Sequence, residues 1–215
     1  VTAPLSRIEN RRRLSDQLRL ANAKLSLPQK LEDDINRHRD RAFSLLHHKA
    51  GEILDLQREP ASLREAYGQT SVGQSLLMAR RMIEAGVSLV TVNWEDETKI
   101  SGTNTCWDTH EDNFNKLKTL LCPMFDQAFP TFLQDLDDHG LLETTLVVAV
   151  GEFGRTPKLG QFTQSSNTKK SGRDHWPHAF TALLAGGGVR GGQVYGSTDR
   201  HAGFVTDSPV SPADL

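Results

Sequence analysis

The sequence predicts an α/β protein: a largely parallel sheet flanked by helices on both faces, with an N-terminal helical block. Three observations predict it. Residues 1 to about 85 carry apolar positions at helical spacing and almost no strand signal. TTLVVAV, residues 144–150, is apolar on both parities, as expected of a strand covered on both faces. Finally, the helical segment SVGQSLLMARRMIEAG delivers straight into the β-branched run VSLVTVN, residues 87–93, which is half of a parallel α/β unit.

The elements follow in order. Ile8, Arg11, Leu14, Leu18 and Leu25 mark a loose stripe on the basic segment SRIENRRRLSDQLR, and Arg11 to Arg13 read as a solvated face with acidic neighbours rather than a phosphate contact. A second helix is predicted from Gln29 to His48, with Leu31, Ile35, Arg39, Ala42, Leu45 and Leu46 on one side. REPASLREAYG reads as a short helix opened by Pro60 and closed by Gly68. The next helix starts at a serine cap, Ser71, and stops at Gly86.

From Asp112 to His139 the stripe Phe114, Leu117, Leu121, Phe125, Ala128, Phe132 and Leu136 returns to helix, and Pro123 should kink or split it. FTALLAGGGV makes a third strand, and GGQVYGSTD follows as a loop or short hairpin. SPADL offers Ser211 as a cap, Pro212 at the first helical position and Asp214 in the first turn, so a helix is expected to start where the sequence stops. The expected organisation is a mainly helical region, 1–85, and an α/β region, 86–215, within one domain that belongs to a larger protein.

Bulk properties exclude some functions. With 24% charged residues and a formal net charge of -2, there is no global basic field for nucleic acid. No apolar run approaches the roughly 20 residues that span a bilayer. Cys106 and Cys122 are too few for a disulfide framework and lack zinc-finger spacing.

Three segments at or near predicted strand ends carry chemistry, where open α/β sheets bind ligands. In CWDTH, extended backbone would put Asp108 and His110 on one side, able to share a cation such as Zn²⁺, Mn²⁺ or Fe. The competing reading is an Asp-capped start to the helix in DNFNKL. In GEFGRTP, Glu152 at a strand tip needs a partner or a metal, and Arg155 has the planar fork suited to phosphate or sulfate; a tight turn pairing Glu152 with Arg155 is the alternative. In GRDHWPH, Pro177 holds Trp176 extended and thereby aims His175, next to Asp174. Alternatively Trp176 anchors a loop, Asp174 caps a turn and His178 is simply exposed.

GEFGRTP, GRDHWP, AFTALLAGGGVRGGQVYGSTD and PVSPADL, with LDLQREPASLREAYGQTSVGQSLLMARRMIEAGVSLVTVNW and WDTHEDNFNKLK upstream, resemble the bacterial DUF1501 family. That family looks like a branch of the alkaline phosphatase and sulfatase superfamily. The resemblance implies an alkaline phosphatase-like sandwich with a divalent metal site (Zn, Mn, Ca or Fe) at the carboxyl edge of the sheet. It implies Asp108, His110, Glu152 and His175 as metal ligands, with Asp174 as a ligand or neighbour; in a hydrolase of this kind Arg155 and Arg173 would hold the anion's peripheral oxygens. Two departures stand out. Glu152–Phe153 occupies a place where the superfamily usually has Asp–His, and the nucleophile belongs to a preceding half that this sequence does not contain.

The expected function is therefore a metal-dependent hydrolase acting on small-molecule or polysaccharide sulfate or phosphate esters, with no nucleic-acid partner, no membrane span, and export possible only through a preceding segment. A non-catalytic anion- or polysaccharide-binding module of the same fold is the alternative, favoured by Phe153. AGGGVRGG follows a strand but has neither Walker nor dinucleotide spacing, which disfavours a nucleotide enzyme.

Overall fold

The computed structural model describes residues 10, 11, 13, 14, 16–18, 28–48, 50–94, 106–164 and 168–214. Ile8 and Leu25 of the N-terminal stripe and Arg12 of the triple arginine lie outside the described residues, as do the middle of the polar loop at 165–167 and Leu215. Helices and strands are both present. The helices are α1 (Gln29–His48), α2 (Ala50–Ile53), α3 (Ala61–Ala66), α4 (Ser71–Glu84), α5 (Asn113–Lys116) and α6 (Cys122–Asp138). The strands are β1 (Val147–Val150), β2 (Gly154–Arg155), β3 (His175–Trp176), β4 (Ala182–Ala185), β5 (Ser197–Thr198) and β6 (Val205–Asp207). No helix among the described residues is long and apolar enough to cross a membrane.

The chain forms two compact units, Val1–Ala61 with Met78–Thr91 and Ser62–Leu77 with Val92–Leu215. In the first, α1 has the limits its periodicity predicts, yet Leu31 and Ile35 on its apolar stripe are exposed. A partly buried cluster of charges joins other parts of this unit. Arg80 is 2% exposed and pairs with Glu59 at 2.8 Å and Glu84 at 2.7 Å. Arg81 pairs with the other oxygen of Glu59 and donates through Nε to the Ile53 carbonyl at 2.7 Å. Burial pushes the Glu59 carboxyl up, but hydrogen bonds from and attraction to both arginines outweigh it and hold it below its ordinary value.

In the second unit the buried apolar side chains include Tyr67, Leu77, Leu121, Phe132, Leu136 and Val147. Tyr67 has no exposure, and its hydroxyl donates to Asp135 at 2.7 Å, which satisfies both buried polar groups. Gly68 closes α3 with φ of 85°. Thr70, not Ser71, caps α4: its Oγ1 accepts from the Gly73 amide at 3.1 Å, and Ser71 is already the first helical residue.

The long stripe after Asp112 is broken as Pro123 predicts, but by a π-turn. Leu117–Leu121 form i→i+5 bonds between α5 and α6, and Pro123 sits at the start of α6, where a missing amide costs nothing. The extra residue rotates everything before it. Phe114, expected inward, is 59% exposed, and its neighbour Asn113 is buried instead.

The expected parallel sheet is not what the described residues form; every ladder is antiparallel. β1 pairs with β4 (Val147↔Ala185 to Val150↔Ala182), β2 with β3, and β5 with β6. VSLVTVN is not a strand, and Leu89 within it is 82% exposed. β propensity measures fit to a pleated, half-buried surface, and this run finds no ladder partner among the described residues. TTLVVAV is a strand, with Val147 buried but Val148 and Val150 exposed, so one face only is covered. Its partner ends in Gly186, φ 70°, where a Cβ would strike the carbonyl oxygens of Leu142 and Thr145.

Glu59→Gln is expected to destabilise the protein by about 3 kcal/mol at pH 7, because it leaves Arg80 short of a counter-charge. Since the folded-state pKa of Glu59 is lowered, its stabilisation is fully present above its unfolded value of 4.5 and is lost as pH falls through the folded value. Thermal melts of wild type and variant should therefore converge on going from pH 7 to pH 3.

Candidate metal centre

CWDTH does not run extended. The Thr109 amide donates to the Trp107 carbonyl at 2.9 Å and that of His110 to the Asp108 carbonyl at 3.0 Å, two successive i→i+2 turns. The curl still turns both side chains inward, and His110 Nε2 lies 3.0 Å from Asp108 Oδ1. Asp112 stands at the N-terminal boundary of α5 in the left-handed region, φ 53°, without a side-chain cap hydrogen bond, so an Asp cap does not account for the motif.

The GRDHWPH segment is held against this turn by backbone. Lys169 N–H donates to the His110 carbonyl at 2.8 Å, Arg173 N–H to the Thr109 carbonyl at 3.0 Å, and Asn113 N–H to the Ser171 carbonyl at 3.0 Å. Gly172 is the closest approach. A Cβ there would collide with the carbonyl of His110, so no other residue fits without moving the ligand turn.

GEFGRTP and GRDHWPH then meet as the short ladder β2–β3, whose register sets Arg155 opposite His175 and Gly154 opposite Trp176. Trp176 anchors the ladder by donating its indole N–H to the Gly203 carbonyl at 2.6 Å. His178 is exposed.

Asp108 Oδ1 is the meeting point. His175 Nε2 lies 3.0 Å from it, as does His110 Nε2, and Arg155 Nη1 donates to it at 2.5 Å. Ligand atoms of Asp108, His110 and His175 all lie within 4.8 Å of one another, an arrangement that could hold a metal ion. His110 is 2% exposed, and Asp108 and His175 are partly exposed at 32% and 25%, so the cluster has one buried wall and one open side. Partial burial pushes the Asp108 carboxyl up, but hydrogen bonds from Arg155 and His175 and attraction to Arg155 and His110 hold it below its ordinary value.

The far nitrogen of His110 is also fixed. Nδ1 is 2.9 Å from Thr168 Oγ1 and 3.6 Å from Asp174 Oδ1. Asp174 is fully buried and accepts the amides of Thr163 at 2.6 Å, Gln164 at 2.9 Å and His175 at 2.8 Å. Its carboxylate therefore organises the loop and faces the back of His110. Phe153 packs its ring 4.4 Å from that of His175.

Of the residues the sequence singles out, the structure brings Asp108, His110 and His175 together. Glu152 is exposed and does not join them, and Arg155 pairs with Asp108 rather than with Glu152. Arg173 donates to the Thr156 carbonyl at 2.5 Å and lies 5.4 Å over the Phe114 ring. Sequence reasoning missed Thr168 and Thr156. Thr156 is fully buried, and its Oγ1 accepts the Asp174 amide at 3.1 Å. Neither threonine carries a sequence signal, since each is defined by a partner far along the chain.

Fold and cluster together define a mixed α/β protein with a two-histidine, one-carboxylate site. The family model "Protein of unknown function (DUF1501)" matches residues 1–215, and the chain belongs to the DUF1501 family. No curated protein and no solved structure matches it.

Gly172→Ala is expected to cost roughly 1–3 kcal/mol in urea denaturation, the range for forcing one methyl group into a packed site. The same substitution at Gly191, where nothing lies within 4 Å, should be near neutral.

Proposed function

We propose that this chain carries a metal-dependent hydrolase-like site acting on sulfate or phosphate esters, with Asp108, His110 and His175 holding one divalent cation. The observation that supports this reading is the convergence of two imidazole nitrogens at 3.0 Å on one carboxylate oxygen. Each nitrogen–oxygen separation is near the roughly 3.3 Å between neighbouring ligands of a tetrahedral ion with bonds of about 2.0–2.1 Å, and all three ligand atoms lie within 4.8 Å of one another. The donor set of nitrogen and carboxylate oxygen suits Zn²⁺, Mn²⁺ or Fe better than Ca²⁺.

The surroundings of His110 fit the same reading. Nδ1 lies 2.9 Å from Thr168 Oγ1, while Nε2 faces Asp108 Oδ1 at 3.0 Å. A metal-bound histidine characteristically donates its other ring N–H to a hydroxyl, carbonyl or carboxylate, and Thr168 stands where that partner would be. When bound, the cation would acidify a water or hydroxyl and neutralise charge growing on the transferring group. Asp108 and the two histidines would fix its position, and Asp174 would hold His175 in place through the backbone amide. Arg155 and Arg173 would bind the peripheral oxygens of the ester anion. The DUF1501 family, to which GEFGRTP and GRDHWP point, looks like a branch of the alkaline phosphatase and sulfatase superfamily, which favours that assignment.

A non-catalytic anion- or polysaccharide-binding module is the second reading. Phe153 favours it, because an aromatic ring packs on His175 where the superfamily usually supplies another ligand.

Elemental analysis should find one equivalent of Zn, Mn or Fe in the purified chain and none in folded Asp108→Ala or His175→Ala. Thr168→Val should weaken metal binding about tenfold or more by releasing His110 Nδ1. Metal-free wild type that takes up none of these ions on reconstitution would sink the metal reading. Metal without hydrolysis of an aryl sulfate or aryl phosphate, in this chain or in a longer one containing it, would favour the binding module.

A further inference from the structure

We propose that Arg155 and the metal ion compete for Asp108, so that Arg155 acts as a latch which metal loading releases toward an anionic substrate. The inference rests on the metal site proposed above. Arg155 Nη1 donates at 2.5 Å to Oδ1 of Asp108, the same oxygen that lies 3.0 Å from both imidazole Nε2 atoms. That oxygen is the one a cation held by the three residues would take, and the guanidinium supplies positive charge there in its place. A carboxylate 32% exposed between two imidazoles needs such a counter-charge, since an unpaired charge removed from water is costly.

The guanidinium and a divalent ion cannot both sit at full strength on one oxygen, because their charges repel at that separation. Metal entry therefore has to displace Nη1. The displaced arginine stays at the site, since β2 places it directly across the ladder from His175. Its planar fork, freed from Asp108, is then available to a phosphate or sulfate group bound beside the ion. Phe153 lies beside it: the guanidinium carbon is 5.8 Å from its ring centroid, within reach of cation–π attraction. Metal and oxyanion binding are thus coupled, and the coupling is reciprocal.

The test is calorimetric titration of the full chain with Zn²⁺ and Mn²⁺, comparing wild type with Arg155→Met and Arg155→Lys, followed by titration with inorganic phosphate with and without metal. Thermal melts in chelator check that each variant is folded. Removing a charge-assisted hydrogen bond from the competing state should tighten metal binding in Arg155→Met about tenfold or more. Wild type should bind phosphate only when metal is present, and Arg155→Met should lose that phosphate binding. Arg155→Lys keeps the charge without the fork, and should recover weak metal binding but not phosphate binding.

Metal binding by folded Arg155→Met that is equal to or weaker than wild type would overturn the proposal, because Arg155 would then hold Asp108 in its ligand position. Phosphate binding to metal-free wild type as tight as to the loaded form would overturn it as well. If neither wild type nor variant binds metal, the metal reading itself fails and the Arg155–Asp108 pair is structural.

Discussion

The second unit is organised around one carboxylate oxygen. Asp108 Oδ1 takes a nitrogen from each of three places: His110 in its own turn, Arg155 on β2 and His175 on β3. A partly buried anion is tolerable only where its charge is answered, and here every answering group comes from a short, otherwise weak element. Two-residue strands and curled turns do not hold geometry by themselves. Asp108 ties them together, since His110, Arg155 and His175 all meet on its one oxygen.

The backbone around that oxygen is built to the same end. Three amide–carbonyl hydrogen bonds join residues 109–113 to 169–173, and Gly172 lets the two chains approach to a distance that excludes any side chain. Asp174 spends its carboxylate on three amides and so fixes the loop from which His175 projects. A site whose ligands come from turns needs this second layer of restraint, since small displacements of supporting groups move ligand atoms directly.

The first unit gives a useful contrast. Glu59, like Asp108, is held below its ordinary pKa by arginines despite its burial. A perturbed carboxylate alone therefore does not mark function, because structural ion-pair networks perturb pKa values too. What separates the two is the company: Glu59 faces only permanent cations, while Asp108 also faces two imidazoles, which can give up a proton and bind a metal.

Local chemistry was legible in the sequence. The limits of α1, the glycine stop after α3, the break at Pro123 and the strand at 147–150 follow from periodicity, caps and imino-acid sterics, which act over a few residues. Asp108, His110 and His175 were legible as candidates because their residue types and spacing carry chemistry of their own. The sequence did not determine which faces the strands would bury or how they would pair. VSLVTVN has the composition of a strand but no ladder among the described residues, and β1 and β4 run antiparallel, because pairing depends on partners far along the chain. Nor could spacing distinguish Glu152 from His175. Both follow or precede strand tips, but tertiary structure leaves one in solvent and brings the other to Asp108. It also paired Arg155 with that same oxygen. A single charge draws its partners by distance in space, and sequence separation does not set that distance.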